Sequence, residues 1–327
     1  MRKIAYIFLF MLLIPLIVSS QTTVQEEAYK LYINAINEKN IDSKIQLLEQ
    51  YIAQYGKIGL DYDKYVYANL AIAYSQKGNH EKTVEYGEKT LSFQDIDTLT
   101  KINLYLMVSG AYNELNRNLE KAFSYAKMAK EMANAQMESG SNMATREQWA
   151  KLIAGATFIE GSIHIKKGEL KDAIEKWTEA YKVLRDPKIL RQFKVNGVNQ
   201  YNQKKFANAE LFFKAHYELS GDPESAYWLG KTCFYLNRYD DAERYFLLAY
   251  DKRKNSEIAL NLGIISNKKN KSDEALKYFA EAVVLNSHSR FSADAKKYLE
   301  SLYQKKYGSI EGIEKVIAEA KKRLGLS

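Results

Sequence analysis

The sequence is poor in cysteine and proline. Its 327 residues include one cysteine, Cys233, and three prolines. Because a single cysteine cannot form a disulfide within the chain, the fold must be held by its hydrophobic core. Proline interrupts helices, so its scarcity, together with abundant alanine, leucine, lysine, glutamate and tyrosine, favours helix nearly throughout. The composition therefore predicts an all-α protein.

Blocks of like charge are also absent. The chain has 48 basic and 40 acidic residues and a formal net charge of +8, and these charges are interspersed along it. Interspersed charges are typical of solvated helix faces, whereas arms that bind nucleic acid carry basic blocks. We therefore expect no nucleic-acid partner.

Catalytic motifs are missing as well. The sequence has no HExxH zinc motif, no glycine-rich phosphate loop and no G-x-S-x-G elbow. Its four histidines are scattered, and we expect His164 and His216 to pack against neighbouring helices. We expect Cys233 to be a small buried hydrophobic residue. The sequence thus predicts no catalytic residues, no metal site, no cofactor and no enzymatic activity.

The N-terminal segment, residues 1–20, has the pattern of a signal peptide. Arg2 and Lys3 precede an uninterrupted apolar run over residues 4–18. This run is shorter than the roughly 20 residues that an α-helix needs to cross a bilayer. A cleaved signal peptide is favoured on this ground, and a retained membrane anchor is the alternative.

The cleavage site and the compartment follow from the same segment. Val18 and Ser20 provide small side chains at the positions that a signal peptidase reads, so we expect cleavage between Ser20 and Gln21. The mature chain would have a net charge of +6 and no integral membrane segment. Because Cys233 is far from the cleavage point, it cannot carry a lipoprotein anchor. We expect an extracytoplasmic protein, either periplasmic or secreted.

Pairs of small residues recur in the second half of the chain. Four glycines follow one another at a nearly constant interval, and each lies twelve positions before an alanine. The pairs are Gly161 and Ala173, Gly197 and Ala209, Gly230 and Ala242, and Gly263 and Ala275. We expect the glycine of a first helix to face the alanine of the next helix where the two backbones approach most closely.

An aromatic residue extends this pattern. In three of the repeats it lies four positions after the alanine and a second alanine follows it after three more, which gives one apolar stripe at helical spacing. These aromatic residues are Trp177, Phe246 and Phe279. The pattern resembles the tetratricopeptide repeat family over residues 64–288 and more weakly on either side. The resemblance implies an α-solenoid, a right-handed superhelix of stacked helix-turn-helix repeats with terminal capping helices, whose concave surface is lined by the first helices.

The repeats differ in quality along the chain. The predicted segments are a signal peptide (1–20), diverged N-terminal repeats (21–139), C-terminal repeats (140–290) and capping helices (291–327). Stretched spacing before Gly161 predicts two long helices, a turn at 140–142 and a kink there. In the diverged part, Gly87 occupies a position where a bulky residue is usual. At the end, we expect Gly308 to stop one capping helix and Ser309 to cap the next.

A candidate binding strip follows from the register of Gly197 and Gly230. It comprises the first-helix residues that should face away from the second helices, namely Lys194, Tyr201, Asn202, Tyr227, Lys231, Phe234 and Tyr235. Aromatic rings can anchor a partner, and we place Lys231 at the rim of the resulting groove. The alternative is that these side chains pack against the adjacent repeat.

The resemblance implies a scaffold or adaptor that binds a protein or peptide segment in the concave groove, and the predicted signal peptide places it in the cell envelope. A glycan-binding accessory protein is the alternative, since aromatic rings also stack on sugars. The family's clamp for a C-terminal carboxylate is not supported, because Val198 and Glu257 stand where that clamp has asparagine and lysine. The partner, the pathway and the oligomeric state are left open by the sequence.

Overall fold

Every regular element in the described part of the chain is an α-helix. The computed structural model describes residues 23–326, so the predicted signal peptide lies outside the described residues. The helices are α1 (23–37), α2 (Ile41–Tyr55), α3 (Asp63–Gln76), α4 (His80–Leu91), α5 (Thr98–Glu114), α6 (Leu119–Glu138), α7 (Arg146–Lys167), α8 (Leu170–Leu184), α9 (Pro187–Asn202), α10 (Phe206–Ser220), α11 (Pro223–Tyr235), α12 (Tyr239–Lys252), α13 (Ser256–Lys268), α14 (Ser272–Leu285), α15 (Arg290–Tyr307) and α16 (Ile313–Leu324). The predicted all-α class is confirmed. Within residues 23–326, no helix is long and apolar enough to cross a bilayer.

The chain forms two compact units that meet in sequence at Leu184 and Arg185. We expected a division after residue 139, and the two long helices and the turn predicted there are present as α6 and α7. These helices belong to one unit, however, because Trp149 of α7 is buried beside Ala129 and Ala133 of α6. The boundary between the compact units lies after α8, and the predicted change in repeat quality after residue 139 stays a prediction.

Side-chain caps and prolines start the first helices of the second unit. The Asp222 carboxylate accepts a hydrogen bond from the backbone N–H of Glu224, and Pro223 occupies the first position of α11. Proline suits this position because its fixed φ is helical and it has no N–H to leave unpaired. Pro223 does not end the preceding helix, because α10 already ends at Ser220. The proline begins the next helix instead.

The recurring glycines lie against aromatic rings. A Cβ atom on Gly197, Gly230 or Gly263 would lie 2.7, 2.7 or 2.5 Å from a ring carbon of an aromatic residue on the following helix. Those residues are Phe213, Phe246 and Phe279. We expected each glycine to face the alanine of the next helix, but it faces the aromatic ring. The alanines are small for a related reason, because each is fully buried on the same helix one turn before the ring.

The C-terminal helices close the second unit. As predicted, α15 ends at Gly308, which has a φ of 77°. Ser309 does not cap α16, because α16 begins only after Gly312 and the Ser309 hydroxyl accepts a hydrogen bond from Glu311 N at 3.0 Å. Arg323 Nε of α16 donates to Glu281 Oε1 of α14 at 3.2 Å, and Glu281 is buried. This ion pair fixes the last helix on the preceding repeat.

Candidate functional site

The predicted binding strip lies on α9 and α11, two first helices of the second unit. Its residues make several contacts between consecutive repeats. Lys194 of α9 forms an ion pair with Glu224 at the start of α11, and Asn202 is exposed at the end of α9. Lys194 is therefore already engaged within the protein.

Tyr227 and Lys231 form a network with Glu257 of the following first helix. The Tyr227 hydroxyl donates to Glu257 Oε1 at 2.5 Å, while Lys231 Nζ lies 3.2 Å from the same oxygen and 3.0 Å from the tyrosine oxygen. We expected Lys231 at the rim of an open groove. Its side chain is only 23% exposed, so it lies inside this network instead. Burial, followed by the Glu257 carboxylate, raises the pKa of the Tyr227 phenol. The phenol is therefore held as a neutral donor that joins α11 to α13.

The other aromatic residues of the strip form a cluster around the turns within the repeats. The Tyr201 ring packs edge-on against Trp228 and Tyr235, with centroids 5.1 and 5.8 Å apart. Tyr235 stacks on Phe206 at 4.8 Å with the two planes 7° apart, and its side chain is 54% exposed. Phe234 packs against the core of the last repeats. The structure thus brings most of the strip together, but much of its surface is already packed against other residues of the protein.

An open cleft lies beside the strip. It has a volume of about 490 Å³ and lies between the first turns of α11 and α13 and the last turn of α12. Tyr227 lines it, as do Glu224 and Glu257, the partners of Lys194 and Lys231. Lys252 and Arg253 line it from α12 and the turn that follows. We call this cleft the first cleft.

A second cleft of about 360 Å³ follows it along the turns that lead from one repeat to the next. The two clefts share Arg253, Asn255 and Glu257. The second also contacts Lys254 and, near the start of α15, Phe291. The clefts therefore form a continuous surface along two consecutive turns between repeats.

Sequence reasoning missed the residues of these turns. The predicted strip contains residues of first-helix faces, whereas much of the cleft lining belongs to residues 252–257, around the turn from α12 to α13. A signal was present, because Lys252, Arg253 and Lys254 are three consecutive basic residues at a repeat junction. A run that short is usual on a solvated turn and does not by itself indicate a site.

The buried histidine and the cysteine have structural surroundings. His216 is buried, and its Nδ1 atom lies 2.6 Å from the Ser225 hydroxyl. Burial lowers the pKa of His216, so its imidazole is neutral at pH 7. Cys233 is fully buried, and burial raises the pKa of its thiol to about 11. A thiol in this state is a poor nucleophile, as expected for a packed residue.

One group in the first unit has the composition of a metal site. The ligand atoms of His164, Glu169 and Asp172 lie within 4.8 Å of one another, and His164 Nδ1 is 2.5 Å from Glu169 Oε2. The His164 ring also packs edge-on against Phe123, 5.4 Å away. Both carboxylates are exposed near the start of α8, where negative charge interacts favourably with the helix dipole. The geometry therefore assigns no metal to this group.

The helix pairs and the glycine–aromatic contacts define the architecture. They form stacked helical repeats, which is the fold class predicted from the sequence. Solved structures similar to this chain include the C-terminal part of a TPR repeat-containing protein from Cytophaga hutchinsonii, with 17% identity, coverage of 78% of this chain and 93% of that chain, and a TM-score of 0.45. A tetratricopeptide repeat protein from Parabacteroides merdae has 12% identity, coverage of 85% and 98%, and a TM-score of 0.39. YrrB, a TPR protein with an unusual peptide-binding site, has 18% identity, coverage of 65% and 99%, and a TM-score of 0.35. No protein-family model matches the chain, and no curated protein is significantly similar to it.

Proposed function

We propose that this protein is a non-enzymatic scaffold of the cell envelope that binds a segment of a partner protein along the first cleft. The observation that supports this most directly is the cleft itself, whose volume of about 490 Å³ is in the range of ligand sites. It holds a partly buried tyrosine, Tyr227, which is fixed by Glu257. A positioned aromatic side chain can anchor a partner at low cost in conformational entropy.

The non-enzymatic part of the proposal rests on the residues that catalysis would need. The sequence carries no HExxH motif, no glycine-rich phosphate loop and no G-x-S-x-G elbow, and the one thiol, Cys233, is buried with a raised pKa. His216 is engaged by Ser225 and is neutral at pH 7. These surroundings favour a role in binding.

Site-specific photocrosslinking tests the proposed function. A benzophenone amino acid in place of Arg253 would lie between the two clefts, and the same group in place of Lys214, exposed on α10, is the control. We expect irradiation in envelope preparations to give a discrete crosslinked product from position 253 and none from position 214. The same products from both positions would show that the cleft is not the docking site.

The envelope location is proposed from the N-terminal segment, residues 1–20, and it has its own test. We expect the mature protein to begin at Gln21, because Val18 and Ser20 have the small side chains that signal peptidase accepts. The intact mass and the N-terminal sequence of the protein from fractionated cells provide the measurement. Recovery of a form that still begins at Met1, anchored in the inner membrane, would contradict cleavage.

Glycan binding is a second candidate, and one observation favours it. Tyr235 is 54% exposed and stacks on Phe206, so part of a rigid aromatic pair is accessible to solvent. A sugar ring could stack on the accessible part of this pair. If so, Tyr235→Ala should abolish binding to envelope glycans, whereas crosslinking from position 253 should be unaffected.

A further inference from the structure

The clefts between repeats carry a concentration of basic side chains. Lys252 lines the first cleft, Lys254 the second, and Arg253 both. Arg290, the first residue of α15, lies between Ser289 and Phe291, which both line the second cleft. We call Lys252, Arg253, Lys254 and Arg290 the basic rim. All four are exposed.

The charges of the basic rim are not neutralised within the protein. Among the residues that the structure describes, none of the four forms an ion pair with a carboxylate. Arg290 instead stacks on the ring of Phe291, with its guanidinium carbon 4.7 Å from the ring centroid. This contact holds its planar group in place without using its hydrogen-bond donors.

The acidic groups of the same clefts, by contrast, have partners. Glu224 pairs with Lys194, and Glu257 accepts from Lys231 and Tyr227. The Asp222 carboxylate caps α11. The local balance is therefore an excess of unpaired positive charge around a cleft, which attracts and orients a negatively charged partner.

A buried hydroxyl supplies a second, independent indication. Ser256 is 3% exposed and lines the second cleft, yet its Oγ atom has no hydrogen-bond partner among the described residues. A buried polar group without a partner is unfavourable. If the Ser256 side chain rotates toward the second cleft, which it lines, its hydroxyl can donate to an acceptor on a bound segment, such as a carboxylate oxygen.

We propose that the segment bound along these clefts is an acidic peptide, whose carboxylates pair with the basic rim and with the Ser256 hydroxyl. This inference rests on the proposed function and adds the chemistry of the partner. It also places the charged contacts on the turns between repeats and not on the first-helix faces.

Three matched peptides test the inference by fluorescence anisotropy. The probes are a labelled 12-residue peptide in which Asp and Glu alternate with Leu and Tyr, its Asn and Gln counterpart, and its Lys counterpart. With the purified chain of residues 21–327, we expect the acidic peptide to bind about tenfold or more tightly than the neutral one at low salt, and this advantage to decrease as salt is added. We expect no binding of the basic peptide.

Variants locate the effect. Lys252→Gln combined with Arg253→Gln should weaken binding of the acidic peptide about tenfold. Lys321→Gln combined with Lys322→Gln removes the same charge from exposed positions on α16 and should leave the affinity unchanged. Ser256→Ala should weaken binding about fivefold without lowering the melting temperature, since this hydroxyl has no bond to lose in the free protein.

Each contrary result has a definite meaning. Equal binding of the acidic and neutral peptides would overturn the inference and leave the proposed function standing, because peptides would still bind. Equal losses in the rim and α16 variants would show that overall charge, and not the rim, attracts the peptide. Tighter binding of a single-stranded oligonucleotide with the same net charge would assign the rim to nucleic acid and overturn the peptide proposal. Failure of the acidic peptide to bind, with specific crosslinking from position 253, would overturn the inference alone.

Discussion

The two units solve the same packing problem in different ways. In the second unit, three first-helix glycines lie in succession under phenylalanine rings of their own second helices, as in the contact of Gly230 with Phe246. In the first unit, Gly161 makes the equivalent contact with Trp177. Earlier in that unit the position is different, because Gly87 lies on the second helix α4 and faces Val108 of α5. Neighbouring helices thus pack closely in both units, but the residues that allow the close contact differ.

The position of the glycine determines which helices its replacement should disturb. A larger residue at Gly230 would separate the two helices of one repeat. At Gly87 it would separate one repeat from the next, since α4 and α5 belong to different helix pairs. Because the parts of a repeat protein contact chiefly their neighbours, each disturbance should remain local at first.

The largest effect is expected for Gly230→Leu. A Cβ atom there would lie 2.7 Å from the Phe246 ring, and overpacking of this kind should cost about 3 kcal/mol of unfolding free energy. Urea unfolding followed by circular dichroism gives the loss, and hydrogen exchange should show it first in α11 and α12. Unchanged exchange in these helices would contradict the role assigned to the contact.

A control for this variant is available in the first unit. Gly110 is also helical, but a Cβ there would meet only Ile159 Cδ1, at 3.9 Å. Gly110→Ala should therefore be neutral or stabilise the protein by about 0.5–1 kcal/mol, because alanine loses less backbone entropy on folding. A loss at this position as large as that at Gly230 would show that the difference lies in helical glycine generally and not in the aromatic contact.

A smaller loss of stability is expected for Gly87→Ala, and a second substitution at Val108 should partly restore it. The added methyl group would clash with Val108 Cγ2, which should cost about 1–2 kcal/mol. Val108 is fully buried, so Val108→Ala alone should also destabilise the protein. In the double variant the new methyl group has room, so the loss of unfolding free energy should be smaller than the sum of the two single losses. Additive losses in urea unfolding would mean that the two side chains do not share this space.

The spacing of these residues shows how far the sequence could lead. Evenly spaced glycines predicted the helix pairs and the fold correctly. They did not identify the facing residue, since Ala242 and Phe246 are one turn apart on the same face and spacing favours both. The binding strip was harder to predict, because its partners, Glu224 and Glu257, lie on the next repeat along the chain. Such pairs depend on how one repeat stacks on the next. The spacing of residues within a single repeat gives no information about that stacking.

The smallest expected effect is a pH dependence of stability that arises from His216, a buried histidine of the second unit. His216 is buried between the hydroxyls of Ser220 and Ser225, with Nδ1 at 3.2 and 2.6 Å from their oxygens, and burial lowers its pKa below the ordinary 6.5. The folded state therefore resists a proton that the unfolded state accepts. Stability from this histidine is fully present above pH 6.5 and is lost as the pH falls toward the folded-state pKa, by at most about 1.4 kcal/mol per pH unit.

Replacement of His216 separates this contribution from that of the carboxylates. His216→Gln keeps a polar side chain of similar length but cannot titrate, so its stability should vary less between pH 7 and pH 5 than that of the wild type. Urea midpoints at the two pH values give the difference, and hydrogen exchange should place it in α10 and α11 with no counterpart in α3–α8. Parallel pH profiles for the two proteins would mean that the imidazole is protonated equally in the folded and unfolded states, and that its burial has no energetic consequence.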